Sequence, residues 1–205
     1  MSAAEEICQV GPGLFIWHAY DPKVKAELFS TAVISDRGTL IVDPIPVAEM
    51  ALAELLQDAP LLGIILTNSN HWRGAADLAG KFSAPVFAHP EFIPNVTILP
   101  FQSVAHGANI LNMVEVIAIE GAAPAEIALH VPANDGSLIV GDALINFDPY
   151  GFTFLPAKYC SNPKQMRRSL RQLLKHKSQR MLFAHGTPIL SKATARLERL
   201  LESTA

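Results

Sequence analysis

Apolar positions along the chain fall into short runs with two different periods. The runs Leu14 to His18, Thr31 to Ile34 and Thr39 to Val42 are rich in β-branched and aromatic residues and read as strands. The turn Ser35-Asp36-Arg37-Gly38 joins the last two into a hairpin that ends at Asp43-Pro44. From Val47 to Gln57 the period changes to that of a helix, with Met50, Leu52, Leu55 and Leu56 as its expected inner face. A buried strand, Leu62 to Leu66, then runs through a polar turn, Thr67 to Arg73, into a helix over Gly74 to Phe82, followed by a short strand, Val86 to Ala88. This alternation of strand and helix predicts an α/β arrangement.

The second half opens on a proline-rich loop, Pro90 to Pro100. It continues with strands at Met113 to Glu120, Ile127 to Val131 and Ser137 to Val140, the last two joined by the turn Asn134-Asp135-Gly136. After Gly141-Asp142 the aromatic stretch Phe147-Asp148-Pro149-Tyr150-Gly151-Phe152 shows no period and reads as a loop. Asn162-Pro163 has the order of a helix cap followed by proline at the first helical position. Met166, Leu170, Leu173 and Leu174 form the buried stripe of that helix, and Arg167, Arg168, Arg171 and Lys175 face elsewhere. Met181 to Phe183 is a strand, Ala184-His185-Gly186 a turn, and Ser191 onward a helix.

With 205 residues, half of them hydrophobic and 17% charged, the chain can bury a sizeable core, and residues 1-205 read as a single domain. A net charge of −3 gives no basic footprint for nucleic acid. The acidic start and the lack of a long apolar run predict a soluble, cytoplasmic protein that does not engage a membrane. Cys8 and Cys160 are far apart and read as small buried hydrophobes, not as a disulfide framework or a zinc knuckle. A homo-oligomer is compatible with all of this.

The turn after Leu66, together with Leu40-Ile41-Val42-Asp43, Ala84-Pro85-Val86-Phe87-Ala88-His89-Pro90, Gly121 with Pro124, Gly141-Asp142 and His185-Gly186, resembles the metallo-β-lactamase superfamily in landmark order over nearly the whole chain. The resemblance implies a four-layer αββα sandwich of two mixed β-sheets flanked by helices. It also implies a hydrolytic centre of two divalent metals, held by a Thr-His-x-His-x-Asp-His turn, a histidine after a glycine, a bridging aspartate and a final histidine.

Most of those ligands are replaced here. Aligned on Thr67, the turn has Asn68, Asn70, Trp72 and Arg73 at the ligand positions. Aligned on the downstream helix with two residues deleted, it has His71 in place of the last histidine and Asn70 in place of the aspartate. Ala122 stands where a later histidine is expected in either register.

The resulting expectation is a protein without the two-metal centre, with no metal cofactor. Its polar cleft of Asn68, Asn70, His71, Arg73, Asp142 and His185 would take a small anionic molecule. One alternative is a mononuclear zinc or iron hydrolase using His71, Asp142 and His185, with Asp142 orienting the water. Another is a non-catalytic interaction protein.

Bland roles stand beside these. Arg73 pairs with Asp142 in place of a metal, His71 packs on Trp72, and Asn68 and Asn70 hold the turn or cap the helix. His185 hydrogen-bonds Asp142 or a backbone group, and Trp72, Phe147, Tyr150 and Phe152 pack in core or loop, with lining of the cleft as the alternative. His89 is structural or at the rim, while His18, His106, His130 and His176 are surface or satisfied core residues. Substrate choice would reside in Pro90 to Pro100 and Phe147 to Lys158, which carry no recognisable chemistry.

Overall fold

A computed structural model describes residues 3–92 and 101–203. Its first sheet has seven strands in the order β1 (Cys8–Gly11), β2 (Leu14–Asp21), β3 (Ala26–Ser35), β4 (Gly38–Val42), β5 (Leu61–Ile65), β6 (Val86–Ala88) and β7 (Phe101–Ser103). The first four form an antiparallel meander, and β4 to β7 are parallel. Helices α1 (Glu49–Leu56) and α2 (Ala75–Phe82) supply crossovers between the parallel strands.

The second sheet contains β8 (Asn109–Ile110), β9 (Val114–Ala118), β10 (Ile127–Val131) and β11 (Ser137–Val140) as an antiparallel run. A separate hairpin, β12 (Leu144–Phe147) with β13 (Gly151–Phe154), follows. After α3 (Pro163–Leu170), β14 (Arg180–Phe183) lies parallel to β11 at the sheet edge, and α4 (Ala193–Glu202) closes the order.

Strand alternation makes four layers from these elements. Leu40, Val42 and Ile65 point inward and meet Val116, Ile127, Leu129 and Ile139 of the other sheet. Their neighbours Ile41 and Ile64 point outward, packing with Leu52, Leu78 and Ala79 of the first pair of helices. On the far side Ala128, Leu138, Val140 and Phe183 pack with Met166, Leu170 and Leu197. Strands covered on both faces are largely apolar, which is why β4 runs through Leu40-Ile41-Val42 with every residue buried, the Thr39 hydroxyl donating to Ala59 O at 2.7 Å. The αββα sandwich is therefore the observed fold.

Several local expectations need correction. Met50 is 85% exposed, because two residues of helix rotate it by about 200° from the buried Leu52. The aromatic stretch after Asp142 is not a simple loop but the β12–β13 hairpin, whose Phe152 packs on Phe183. Cys8 is exposed and Cys160 half-buried, both as free thiols. Of the proline-rich loop, residues 93–100 lie outside the described residues. The Asn162 cap is observed, its side chain accepting from the Gln165 N–H at 3.1 Å. Among the described residues no helix is long and apolar enough to cross a membrane.

Candidate functional site

Parallel pairing carries the C-terminal ends of β4 and β5, and of β11 and β14, to where the loops after them meet. Asp43 follows β4, Thr67 to Arg73 follows β5, Asp142 follows β11 and His185 follows β14. Backbone bonds stitch the two halves together there: Phe29 N–H donates to Ala184 O at 2.9 Å, and Ile127 N–H to Thr67 O at 2.7 Å. Asp43 and Arg73 hold positive φ angles of 49° and 34°. Non-glycine residues adopt that region only when their surroundings enforce it.

His71 is the centre of the site. Its Nδ1 lies 2.9 Å from Asp43 Oδ2 and 2.9 Å from Thr67 Oγ1. A carboxylate only accepts, so the Nδ1–H donates toward Asp43 and Nε2 faces the pocket. Asp43 also accepts from the Thr67 backbone N–H at 2.8 Å and from the Thr67 hydroxyl. His185 is oriented the same way, its Nδ1 donating to Glu27 O at 3.3 Å.

The two imidazole nitrogens that face the pocket converge on one oxygen. His71 Nε2 lies 3.1 Å from Asp142 Oδ1, and His185 Nε2 lies 3.2 Å from the same atom. Yet His71 Nε2 and Asp142 Oδ1 are buried and lack a well-directed hydrogen bond among the described residues. Donors that share one small cation at about 2.0–2.2 Å in tetrahedral geometry stand roughly 3.3 Å apart, close to the spacing seen here. Three donors, their outer nitrogens pinned by acceptors, fit a divalent metal. The expectation of no metal cofactor is thus not supported by the arrangement of the residues.

Charge reinforces the grouping. Burial and Arg73 push the His71 imidazole down, but the Asp43 and Asp142 charges outweigh them and lift it to about 9 without a metal. Burial would raise both aspartates. The opposing charge of His71, with Arg73 acting on Asp43 and His185 on Asp142, holds Asp43 below its ordinary value and Asp142 well below it.

Arg73 does not take the place expected of it. Its Nη1 donates to Phe29 O at 3.0 Å and its Nη2 reaches His185 Nε2 at 3.5 Å, while the two histidines meet Asp142. His71 does not pack on Trp72, whose ring lies against Phe92; the His71 ring lies 5.7 Å from that of His185. Asn68 holds the turn, its Oδ1 accepting from the Asn70 N–H at 2.9 Å. Asn70 is exposed and, with Asp142 and His185, lines a cleft of about 740 Å³ whose other wall includes Ile145, Phe147 and Tyr150.

Sequence reasoning missed Glu126. This fully buried carboxyl accepts from Asn68 Nδ2–H at 2.8 Å and from the Ala143 N–H at 2.9 Å. Asn68 stands at a family ligand position in the Thr67 register, and Ala122, at another, is buried in the helix-side core. The available signal was an acid placed directly before an apolar strand, where an unpaired charge is costly. Asp43, which follows Leu40-Ile41-Val42, offered the same signal.

Burial, aided by Asp142, pushes the Glu126 carboxyl up to about 8 from an ordinary 4.5. The folded state therefore keeps a proton that the unfolded chain releases, and the stability this contributes is lost as pH rises through about 8. Glutamine cannot ionise, so E126Q should gain roughly 3–4 kcal/mol relative to the parent between pH 5 and pH 8. Urea unfolding of the metal-free proteins at both pH values measures this, and parallel pH profiles would contradict it.

The chain belongs to the metallo-beta-lactamase superfamily, whose family model matches residues 8–204. Solved structures agree on the fold. The DIM-1 metallo-beta-lactamase is 16% identical, with 98% of each chain covered and a TM-score of 0.76. A metallo-beta-lactamase from Pontibacter korlensis is 12% identical, with 96% of this chain and 98% of that one covered and a TM-score of 0.75. A beta-lactamase domain protein from Burkholderia ambifaria is 18% identical, covering 100% of this chain and 78% of that one, with a TM-score of 0.73. No curated protein matches the chain.

Proposed function

We propose that this protein is a hydrolase of the superfamily working with one divalent metal, zinc or iron, held by His71, Asp142 and His185. The observation that carries this reading is the convergence of His71 Nε2, Asp142 Oδ1 and His185 Nε2, each imidazole nitrogen standing 3.1–3.2 Å from the shared oxygen, with two of these atoms buried and without a well-directed hydrogen bond. When bound, such an ion supplies Lewis acidity and makes water nucleophilic near neutral pH.

The residues around it divide the remaining work. Asp43 fixes the His71 tautomer and Glu27 O fixes that of His185, so both imidazoles present Nε2 without rearrangement. Asp142 contributes the negative charge that a cation requires. Arg73, half-buried behind His185, adds positive charge beside the cleft that would favour an anionic group on a substrate. Asn68 with Glu126, and the buried Ala122, occupy family ligand positions with groups that leave no imidazole for a second metal.

A second reading rests on the 3.5 Å approach of Arg73 Nη2 to His185 Nε2. Without metal, an imidazolium at His71 and the Arg73 guanidinium would make the cleft a binding site for a small anion. Chelator-treated protein assayed on chromogenic esters, thioesters, phosphodiesters and β-lactams separates the two. The one-metal reading expects hydrolysis that disappears on chelation, returns with zinc or iron, and is absent in D142N. Hydrolysis that survives chelation and the D142N change would overturn it.

A further inference from the structure

The helix-covered face of the second sheet carries another group of ligating side chains. Glu115 on β9 and His130 on β10 are direct cross-strand partners. Their strand neighbours Val114, Val116, Leu129 and Val131 all belong to the core between the sheets. Alternation therefore puts Glu115 and His130 side by side on the opposite, outer face.

His176 reaches that face from the segment between the 3-10 turn Arg171–Lys175 and β14. Its backbone is held at both ends, the N–H donating to Leu173 O at 3.1 Å and the carbonyl accepting from the Thr194 hydroxyl at 3.1 Å. The His130 and His176 rings stand 4.4 Å apart at 40°. Three residues from three separate segments thus meet at one point.

Their spacing is informative. Glu115 Oε2 lies 4.0 Å from His130 Nδ1 and 3.9 Å from His176 Nδ1, and one donor atom from each residue lies within 4.8 Å of the others. These separations are too long for hydrogen bonds, which would draw the atoms to about 2.8 Å. The two carboxylate–imidazole separations exceed the roughly 3.3 Å between tetrahedral zinc ligands by about 0.6–0.7 Å. Small side-chain rotations close that gap. Burial and the neighbouring His176 hold the His130 imidazole below its ordinary value, against Glu115, and so favour the neutral, ligating form.

We propose that Glu115, His130 and His176 form a zinc site, separate from the cleft, that clips the segment after α3 onto the sheet. The separation follows from strand direction: His130 pairs with Leu138 near the start of β11, whereas Asp142 follows the end of that strand. His130 and His176 line a groove of about 760 Å³ together with Lys175, Lys177 and Asp135.

The test uses the full chain carrying D142N, so that the cleft donors do not obscure the result. After dialysis against low-micromolar zinc, this variant should retain about one zinc per chain and melt several degrees higher than when metal-free. Adding H176N should remove both the zinc and the shift. E115Q, at a half-exposed position, should weaken binding at least tenfold and covers the case in which H176N fails to fold. A D142N protein that binds no zinc, or zinc binding untouched by H176N and E115Q, would overturn the proposal.

Discussion

Alanine at Asp43 is expected to cost the metal-free protein about 3–5 kcal/mol of unfolding free energy. The carboxylate is 2% exposed and accepts from the Thr67 backbone, the Thr67 hydroxyl and His71. Removing it leaves a backbone N–H and a hydroxyl without their acceptor. It also leaves the His71 imidazole, lifted to about 9 largely by Asp43 and Asp142, without its first counter-charge. Breaking one side of a buried charged pair costs far more than losing a surface ion pair, since the remaining partner stays desolvated. A domain has only about 5–15 kcal/mol in total, so D43A should unfold at markedly lower urea. Urea titration of D43A beside the parent protein measures this, and a loss under about 1 kcal/mol would show that the pair is not holding the turn.

The second large effect concerns metal affinity. Changing His71 to asparagine removes a donor from the set of three and leaves Asp142 and His185, a pair that solvent displaces readily. Loss of an orienting outer residue already costs roughly 10- to 100-fold in metal affinity, so loss of a ligand should exceed 100-fold at this site. The H71N change also ends the contact with Asp43, and D43A therefore serves as the comparison. It should bind zinc more weakly than the parent but more tightly than H71N. Competition with a chromogenic chelator gives the order, and equal affinities for H71N and the parent protein would remove His71 from the ligand set.

Where burial alone dictates the pattern, the fold was legible in the sequence. Ile127 to Val131 and Ser137 to Val140 are strands at the expected bounds, because residues covered on both faces must be apolar and the Asn134-Asp135-Gly136 turn supplies three consecutive positive φ angles. The helix cap at Asn162 was equally plain. Short or half-exposed elements were not. Met50 looks like a core residue because an eight-residue helix offers too few turns to define its inner face. The β12–β13 hairpin escapes because its residues are mostly half-buried and lack a clean alternation.

The site was legible in part. Asp142 and His185 follow strands and stand in family order, so they could be named from the sequence alone. His71 depended on how the turn was aligned, and spacing cannot decide between two registers that differ by a deletion. The three-dimensional turn decides where the side chain goes: Thr67 and Asp43 grip Nδ1, which aims Nε2 at Asp142. Arg73 was assigned to Asp142 as a replacement for the charge of a metal, but its guanidinium instead meets Phe29 O and His185. The local pattern marks Glu126 as an acid beside a buried strand but cannot name its partner Asn68, 58 positions away, and the pairing of His130 with His176, 46 positions apart, has no local signal.

Anomalous diffraction at the zinc edge from crystals of the zinc-loaded protein tests the central claim most directly. The one-metal account predicts a single peak in the cleft, about 2 Å from each of His71 Nε2, Asp142 Oδ1 and His185 Nε2, with no second peak beside Asn68 and Glu126. An empty position with the Arg73 guanidinium seated among those three atoms would contradict it, as would two peaks bridged by Asp142.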